Sequence, residues 1–311
     1  MQLVKHPTRN RFFLYVFSLC VLFILTFQSA ICQKMNSKND VSSYIFPGLV
    51  TFDKDSILPI QLAEFSGSFV SVNIVQLHWT TVSEINSYGF FVERKLGLNG
   101  TFETVSDLIP GAGTSLELHE YSWIDSAVNV GTYYYRLQQI DLDANISYSD
   151  EIMLIITSRM YNVSDKWNLI SVPLTVSDLS KTVLFPTATS SAFAFQSGYT
   201  VQLTLTNGVG YWLKFSGAQD VTMNGLARIS DTISVQSGWN MIGSISSPIQ
   251  FVSVQSLPGG IISSKLFGFN AGYFIADTIQ PGKGYWVKVN QSGKLILTSS
   301  DTLILSNRRT N

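Results

Sequence analysis

Few residues of the chain have the types and spacing that catalysis requires. Beyond residue 32 the sequence contains two histidines, His78 and His119. His119-Glu120 begins like the zinc-protease motif His-Glu-x-x-His, but Trp123 stands where the second histidine ligand is required. His78 lies between two apolar residues of an alternating segment, which predicts an outward-facing surface side chain. We therefore predict no catalytic residue and no zinc site.

Two glycine motifs and one carboxylate pair complete the candidates for chemistry. Gly282-Lys283 is similar to the end of a phosphate-binding loop, but Gly284 occupies the position of the Ser or Thr that holds magnesium. Gly111-Ala112-Gly113 lacks the third glycine of a dinucleotide site, so we predict no cofactor. Asp141 and Asp143 are alternate carboxylates that could share a calcium ion. Turn chemistry explains this pair as well, and we predict no metal.

Trp212 and Trp286 are the main candidates for ligand binding, each with a lysine two positions later, Lys214 and Lys288. Strand alternation in residues 211–215 puts Trp212 and Lys214 on the face opposite the other three side chains. If that other face is the core, each indole is partly exposed and can stack on a sugar ring or a partner protein. Alternatively, the indoles and lysine stems cover a second small core between two repeated units.

The composition argues against nucleic acid as a partner. Only 13% of residues are charged, against about 25% in typical soluble proteins. Loss of an N-terminal leader would remove Lys5, Arg9 and Arg11, leaving 17 of the 20 basic residues against 21 acidic ones, a net charge of −4. Phosphate binding needs clustered positive charge, which this balance does not supply.

The N-terminal residues predict export. Residues 1–32 run from basic to apolar to small and polar, the order of a secretory signal peptide. The apolar stretch is long, so an uncleaved membrane-anchor helix at residues 12–31 is the alternative. Cys20 and Cys32 both lie in this segment, which leaves no disulfide in the exported part. Residues 33–57 are polar and predict a flexible tether.

Residues 58–157 contain short β-rich segments at the spacing of an antiparallel sandwich. The segments that carry a family resemblance are Leu77-x-Trp79-x-Thr81-x-Ser83-Glu84-x-Asn86, Gly89-Phe90-x-Val92-Glu93-Arg94, Tyr121-Ser122-Trp123-x-Asp125 and Tyr134-Tyr135-Arg136-Leu137-x-Gln139-Ile140-Asp141-x-Asp143. With these, the region resembles the fibronectin type III-like domain of secreted Bacteroidetes proteins. The resemblance implies a spacer or interaction module. Such proteins usually end in a type IX sorting domain, and none is evident, so the export route stays open.

The remaining sequence repeats itself, with a first repeat at residues 158–232, a second repeat at 233–305 and a tail at 306–311. The matching segments are Trp167-Asn168-Leu169-Ile170 with Trp239-Asn240-Met241-Ile242, Phe193-x-Phe195-x-x-Gly198-Tyr199 with Phe267-x-Phe269-x-x-Gly272-Tyr273, and residues 210–215 with 284–289. Their offsets of 72, 74 and 74 residues indicate a duplicated unit. This region resembles a tandem module of secreted Bacteroidetes and Ignavibacteria proteins.

The duplication has structural consequences that can be tested. We expect two small β-sandwich or barrel units after the fibronectin-like sandwich, giving an all-β protein. A short break is expected at residues 158–165. Gly198 and Gly272 are expected to supply the positive φ of a hairpin turn.

The sequence as a whole predicts a non-enzymatic, exported surface or extracellular protein of structural or adhesion type. Its expected partners are glycans or other envelope and extracellular proteins, with membrane contact only through the N-terminal segment if that is uncleaved. A carbohydrate-binding protein that uses exposed tryptophans of the repeats is the alternative. A glycan-active hydrolase is the least expected, since it requires two carboxylates about 5 to 10 Å apart.

Overall fold

The computed structural model describes residues 60–300, so the predicted leader or anchor, the tether and the tail lie outside the described residues. The described part of the chain is all-β, with several sheets, one short α-helix and one 3-10 turn. The predicted all-β class is therefore confirmed. Between residues 60 and 300, no helix has the length and apolar character needed to cross a membrane.

Eight strands form the first part of the structure. They are β1 (Ile60–Ser71), β2 (Ile74–Leu96), β3 (Glu103–Thr104), β4 (Ile109–Ser115), β5 (His119–Asp125), β6 (Gly131–Asp141), β7 (Ile146–Tyr148) and β8 (Ile152–Val163). The long β2 pairs with β1 and β5 along its first half and with β6 along its second half. Leu77 and Trp79 are fully buried, as the alternation predicts, but His78 between them is half-buried and not the exposed surface side chain that we predicted. One apolar core contains side chains from both halves of β2 and from the strands β6 and β8, so this part has a sandwich-like fold.

Strand β8 joins this sandwich-like part to the first repeat without interruption. Its beginning pairs with β6 and its end pairs with β14 (Gln219–Ala227), so one sheet continues across residue 158. The prediction of a break at residues 158–165 is therefore wrong for residues 158–163, which belong to β8. These residues stay extended because β14 supplies hydrogen-bond partners along them.

The two repeats contain the remaining elements. In the first repeat these are β9 (Lys166–Ser171), β10 (Leu174–Thr175), α1 (Lys181–Leu184), β11 (Ala192–Phe195), β12 (Tyr199–Gln202) and β13 (Gly210–Phe215). Then follow β15 (Ser230–Val235), β16 (Gly238–Ile242), β17 (Ile249–Gln250), a 3-10 turn (Phe251–Ser253), β18 (Gln255–Leu257), β19 (Leu266–Phe269), β20 (Tyr273–Ala276), β21 (Thr278–Ile279), β22 (Tyr285–Val289) and β23 (Gly293–Thr298). β15 spans the predicted boundary between residues 232 and 233.

Equivalent strands of the two repeats pair in the same way. The sheet order is β12-β11-β13-β9 in the first repeat and β20-β19-β22-β16 in the second. Trp212 lies opposite Leu169 in the first sheet, and Trp286 lies opposite Met241 in the second. The end of β8 with β14, and β15 with β23, form the other layer of each repeat. Each repeat encloses its own apolar core between these layers.

The tips of the two equivalent hairpins differ from the expectation. The positive φ angles belong to Ser197 (59°) and Ala271 (54°), and not to Gly198 and Gly272. The hairpin β11–β12 closes where Gln196 N donates to the Gly198 carbonyl at 2.9 Å. Ser197 lies between these two residues, is the single residue at the tip of the hairpin, and has the left-handed backbone conformation.

Candidate functional site

Glu84 is a fully buried carboxylate whose hydrogen-bonding capacity is used inside the sandwich. Its oxygens accept hydrogen bonds from Tyr121 Oη at 2.6 Å, Thr81 Oγ1 at 2.8 Å and Ala112 N at 2.8 Å. Burial alone would raise the pKa of Glu84, but these hydrogen bonds outweigh it and lower the pKa below its ordinary value. These hydrogen bonds link β2 with β4 and β5 through the carboxylate.

Asp125 is held in a comparable way. Arg94 Nη1 donates to it at 2.6 Å, Tyr135 Oη at 2.9 Å and Ala127 N at 2.9 Å. The pKa of Tyr135 is raised, chiefly by burial and then by the Asp125 charge, so its hydroxyl remains a donor. This network links β2, β5 and β6 of the sandwich.

The other candidates for acid–base or metal chemistry lie at or beyond strand ends: His119 begins β5, Asp141 ends β6, and Asp143 is in the turn that follows. His119 Nε2 is 2.8 Å from Ser115 Oγ at the edge of the sandwich. The Asn145 side-chain amide lowers the pKa of Asp141 most, and the backbone N–H groups of Asn145 and Asp143, which also donate to the carboxylate, lower it further. Within residues 60–300, no group of three His, Cys, Asp or Glu side chains could hold a metal ion.

Trp212 and Trp286 lie where the two repeats meet. Phe195 packs edge-on against Trp286 with ring centroids 4.9 Å apart, and Phe269 packs edge-on against Trp212 at 4.7 Å. Trp212 is half-buried, in agreement with the expected partial exposure, but Trp286 is only 9% exposed. Its expected exposure is wrong because Phe195 and Trp239 cover the ring. The indoles thus contribute to a small apolar cluster between the repeats.

The backbone contacts between the repeats are reciprocal too. Ser171 N donates to the Gly282 carbonyl at 3.0 Å, and Gly243 N donates to the Gly208 carbonyl at 2.8 Å. These residue pairs are related by the sequence offsets of 72 and 74. Between these two backbone contacts, the hydroxyl oxygens of Ser171 and Ser244 lie 2.8 Å apart. The repeats therefore contact each other through residues at equivalent positions of both.

Two apolar grooves flank this interface. The first groove, about 390 Å³, contains Trp167 and Trp212, and the second groove, about 410 Å³, contains Trp239 and Trp286. Trp167 is 41% exposed and Trp239 is 44% exposed, so these indoles offer more free ring surface than Trp212 and Trp286. Tyr273 lines both grooves. Aromatic rings arranged in this way can stack on the apolar face of a ligand.

The two candidate lysines are exposed and stand beside these outer tryptophans. Lys214 is the cross-strand partner of Trp167, and Lys288 is the cross-strand partner of Trp239. Directly opposite residues of an antiparallel pair share one face of the sheet. Each predicted lysine therefore shares its face of the sheet with Trp167 or Trp239 as well as with the indole two residues before it.

Two deeper clefts adjoin the grooves. The first cleft, about 740 Å³, lies between β9 and the β19–β20 hairpin and includes Trp167, Tyr273 and Lys283. The second cleft, about 490 Å³, is formed by the equivalent elements and includes Trp239 and Val209. Aromatic, amide and hydroxyl side chains dominate both clefts, and neither is lined by Asp, Glu or His. Such surfaces bind by stacking and hydrogen bonding.

Sequence reasoning did not select Tyr199 and Tyr273 as site residues. Both are more than half exposed beside the grooves. Burial raises the pKa of Tyr273, and neighbouring Tyr199 adds to that rise, so the hydroxyl stays protonated. The sequence signal for these two tyrosines was the Gly-Tyr pair that recurs in both repeats. The sequence alone does not show that this pair lies at an interface.

The comparisons with known proteins leave the site to be interpreted from its own geometry. Neither the protein-family models, nor the curated proteins, nor the solved structures gave a match to this chain.

Proposed function

We propose that the chain is an exported, non-enzymatic surface or extracellular module of structural or adhesion type. Residues 58–157 are a fibronectin type III-like spacer, and the duplicated units at 158–232 and 233–305 make the contacts. The support comes from the leader-like residues 1–32, the low charge and the resemblance of the sandwich. The observation that carries the proposal is the pair of reciprocal aromatic grooves built where the repeats meet.

The buried carboxylates favour this function over hydrolysis. Glu84 and Asp125 are each held by three hydrogen-bond donors and belong to the sandwich. The grooves and clefts are lined instead by groups that stack and form hydrogen bonds. A hydrolytic activity that is lost on substitution of one carboxylate would contradict the proposal.

Carbohydrate binding is the second candidate, and one observation favours it. Trp167 and Trp239 are each bordered by a groove on one side and a cleft on the other, with a lysine across the strand. An exposed indole next to hydrogen-bonding groups suits a sugar ring, which has an apolar face and a polar rim. The partners proposed are accordingly glycans or glycosylated envelope proteins.

Export and binding are tested on protein expressed in its own host. N-terminal sequencing after fractionation is expected to find a chain starting near residue 31–33 in the medium or the outer surface fraction. An intact Met1 in the inner membrane would instead support an anchor at residues 12–31.

Binding is then measured with the exported chain on a glycan array. The double variant Trp167→Ala/Trp239→Ala is expected to lose the signal, while the exposed Leu203→Ala serves as the matched control. No signal from the unaltered chain at high concentration would reject carbohydrate binding and leave a protein partner as the contact.

A further inference from the structure

We propose that the first cleft binds an acidic saccharide and that the ammonium group of Lys283 receives its carboxylate. This inference rests on the proposed glycan-binding function and names the ligand class of one site. The residue concerned is Lys283, which belongs to the incomplete phosphate-loop motif at Gly282-Lys283.

The chain fixes Lys283 firmly at the junction of the repeats. Its backbone N–H donates to the Gln280 carbonyl at 3.2 Å, and its carbonyl accepts a 2.9 Å hydrogen bond from Ser171 Oγ. Gly282 before it has φ +80°, and a Cβ there would overlap the Tyr161 ring. A side chain that starts from so constrained a turn is preorganised for a ligand.

The ammonium group is poorly compensated by the protein. Lys283 Nζ donates to the Asn162 carbonyl oxygen at 2.6 Å, and this is its only hydrogen bond within residues 60–300. An ammonium group has three donors, so two remain for a ligand. The lysine is half-buried, and burial lowers its pKa.

No carboxylate of the described residues forms an ion pair with Lys283. Asp220 is the acidic group connected to this region, and it is exposed and accepts a hydrogen bond from the Asn162 side chain. A partly desolvated cation without a counter-charge gains from an anionic ligand, because a charge-assisted hydrogen bond replaces lost solvation.

The rest of the cleft favours a saccharide over an acidic peptide. Trp167 and Tyr273 present exposed rings, and the Asn270 and Gln280 amides are exposed without a side-chain hydrogen bond to described residues. A peptide would add as a strand along β9, but that edge is already occupied. Gly284 N donates to the Leu169 carbonyl at 3.0 Å, and Ser171 N is bonded to Gly282.

The second cleft provides an internal comparison. Val209 stands at the position of Lys283, and Ser234 stands at the position of Asn162. The second cleft is also smaller, about 490 Å³ against 740 Å³. The duplicated unit has therefore diverged at the one charged position, and we expect one acidic-saccharide site per chain.

The test is calorimetric titration of the exported chain with a trisaccharide of galacturonic acid and with the neutral galactose trisaccharide of the same linkage. The acidic ligand is expected to bind about tenfold more tightly or better, since a hydrogen bond to a charged group exceeds the free energy of a tenfold change. Lys283→Gln is expected to abolish that preference. Lys294→Gln, on β23 and not among the residues that line the first cleft, removes the same charge and is expected to preserve it.

The outcomes separate this inference from the function on which it rests. Equal affinity for both trisaccharides, or an unchanged preference in Lys283→Gln, would overturn the acidic-saccharide site while glycan binding stands. If neither trisaccharide binds while other glycans on the array give signals, the acidic-saccharide site is overturned and glycan binding stands. An array without any signal rejects both proposals. Tighter binding of triglutamate than of the acidic trisaccharide would assign the cleft to acidic peptides instead. Thermal melting of each variant verifies folding.

Discussion

Phe195 of the first repeat packs edge-on against Trp286 of the second, with ring centroids 4.9 Å apart and planes at 69°. Phe269 and Trp212 repeat this contact at 4.7 Å with the roles of the two repeats exchanged. Edge-to-face geometry places the positive edge of one ring on the negative face of the other. The two pairs therefore fix the repeats against each other, and they set the position of both grooves.

These ring pairs should show measurable coupling. A double-mutant cycle of Phe195→Leu and Trp286→Leu is expected to give about 0.5–1.5 kcal/mol of interaction free energy in urea unfolding. The cycle of Phe269 and Trp212 should give a similar value. A cycle of Phe195 with Trp167 serves as the control. If its interaction free energy were as large as in the two ring pairs, direct ring contact would not be the cause of the coupling.

Gly284 should not tolerate a side chain. A Cβ at this position would lie 2.8 Å from the Ile170 carbonyl oxygen and 3.1 Å from Gly210 Cα, both backbone atoms at the repeat interface. Gly284→Ala is expected to destabilise the protein by about 1–3 kcal/mol because the backbones must move apart. Gly272→Ala is the matched control, since a Cβ there meets nothing within 4 Å. Equal unfolding free energies for the two variants would contradict the close approach.

Glu84 should make stability depend on pH in a defined direction. Its folded pKa lies below the ordinary value of 4.5, so its stabilising contribution is complete above that pH and is lost as the pH falls through the folded pKa. Glu84→Gln is expected to cost on the order of 1–3 kcal/mol at pH 7 through weakened buried hydrogen bonds. Denaturation at several pH values should find this cost shrinking below pH 4.5. A cost that stays constant down to pH 3 would exclude the ionised carboxylate as the stabilising group.

Trp167 and Trp286 should separate binding from stability. Trp167→Ala removes a 41% exposed ring and is expected to weaken glycan binding with little change in the melting temperature. Trp286→Ala removes a buried ring and is expected to destabilise by about 3–5 kcal/mol. Melting curves and array signals recorded on the same preparations test this division. A Trp167→Ala variant that melts as early as Trp286→Ala would assign Trp167 to the core.

Much of the strand pattern could be predicted because burial on one face of a strand has a period of two. The alternation around Trp79 and around Trp212 predicted which side chains face the cores, and the structure agrees. The hairpin glycines were misjudged because the sequence does not reveal at which residue the ladder closes. The break after residue 157 was misjudged because β14, which keeps β8 extended, is distant in sequence.

The sequence by itself determined the all-β class, the tryptophans that recur in both repeats, and the scarcity of residues for acid–base chemistry. Only the tertiary structure decided that Trp286 is covered, that Trp167 and Trp239 are the exposed rings, and that Lys283 lines a cleft. The physical reason is that periodicity specifies the two faces within one sheet. Which of those faces is then covered by the other repeat depends on contacts between residues about 70 to 110 positions apart, such as Phe195 with Trp286 and Ser171 with Lys283.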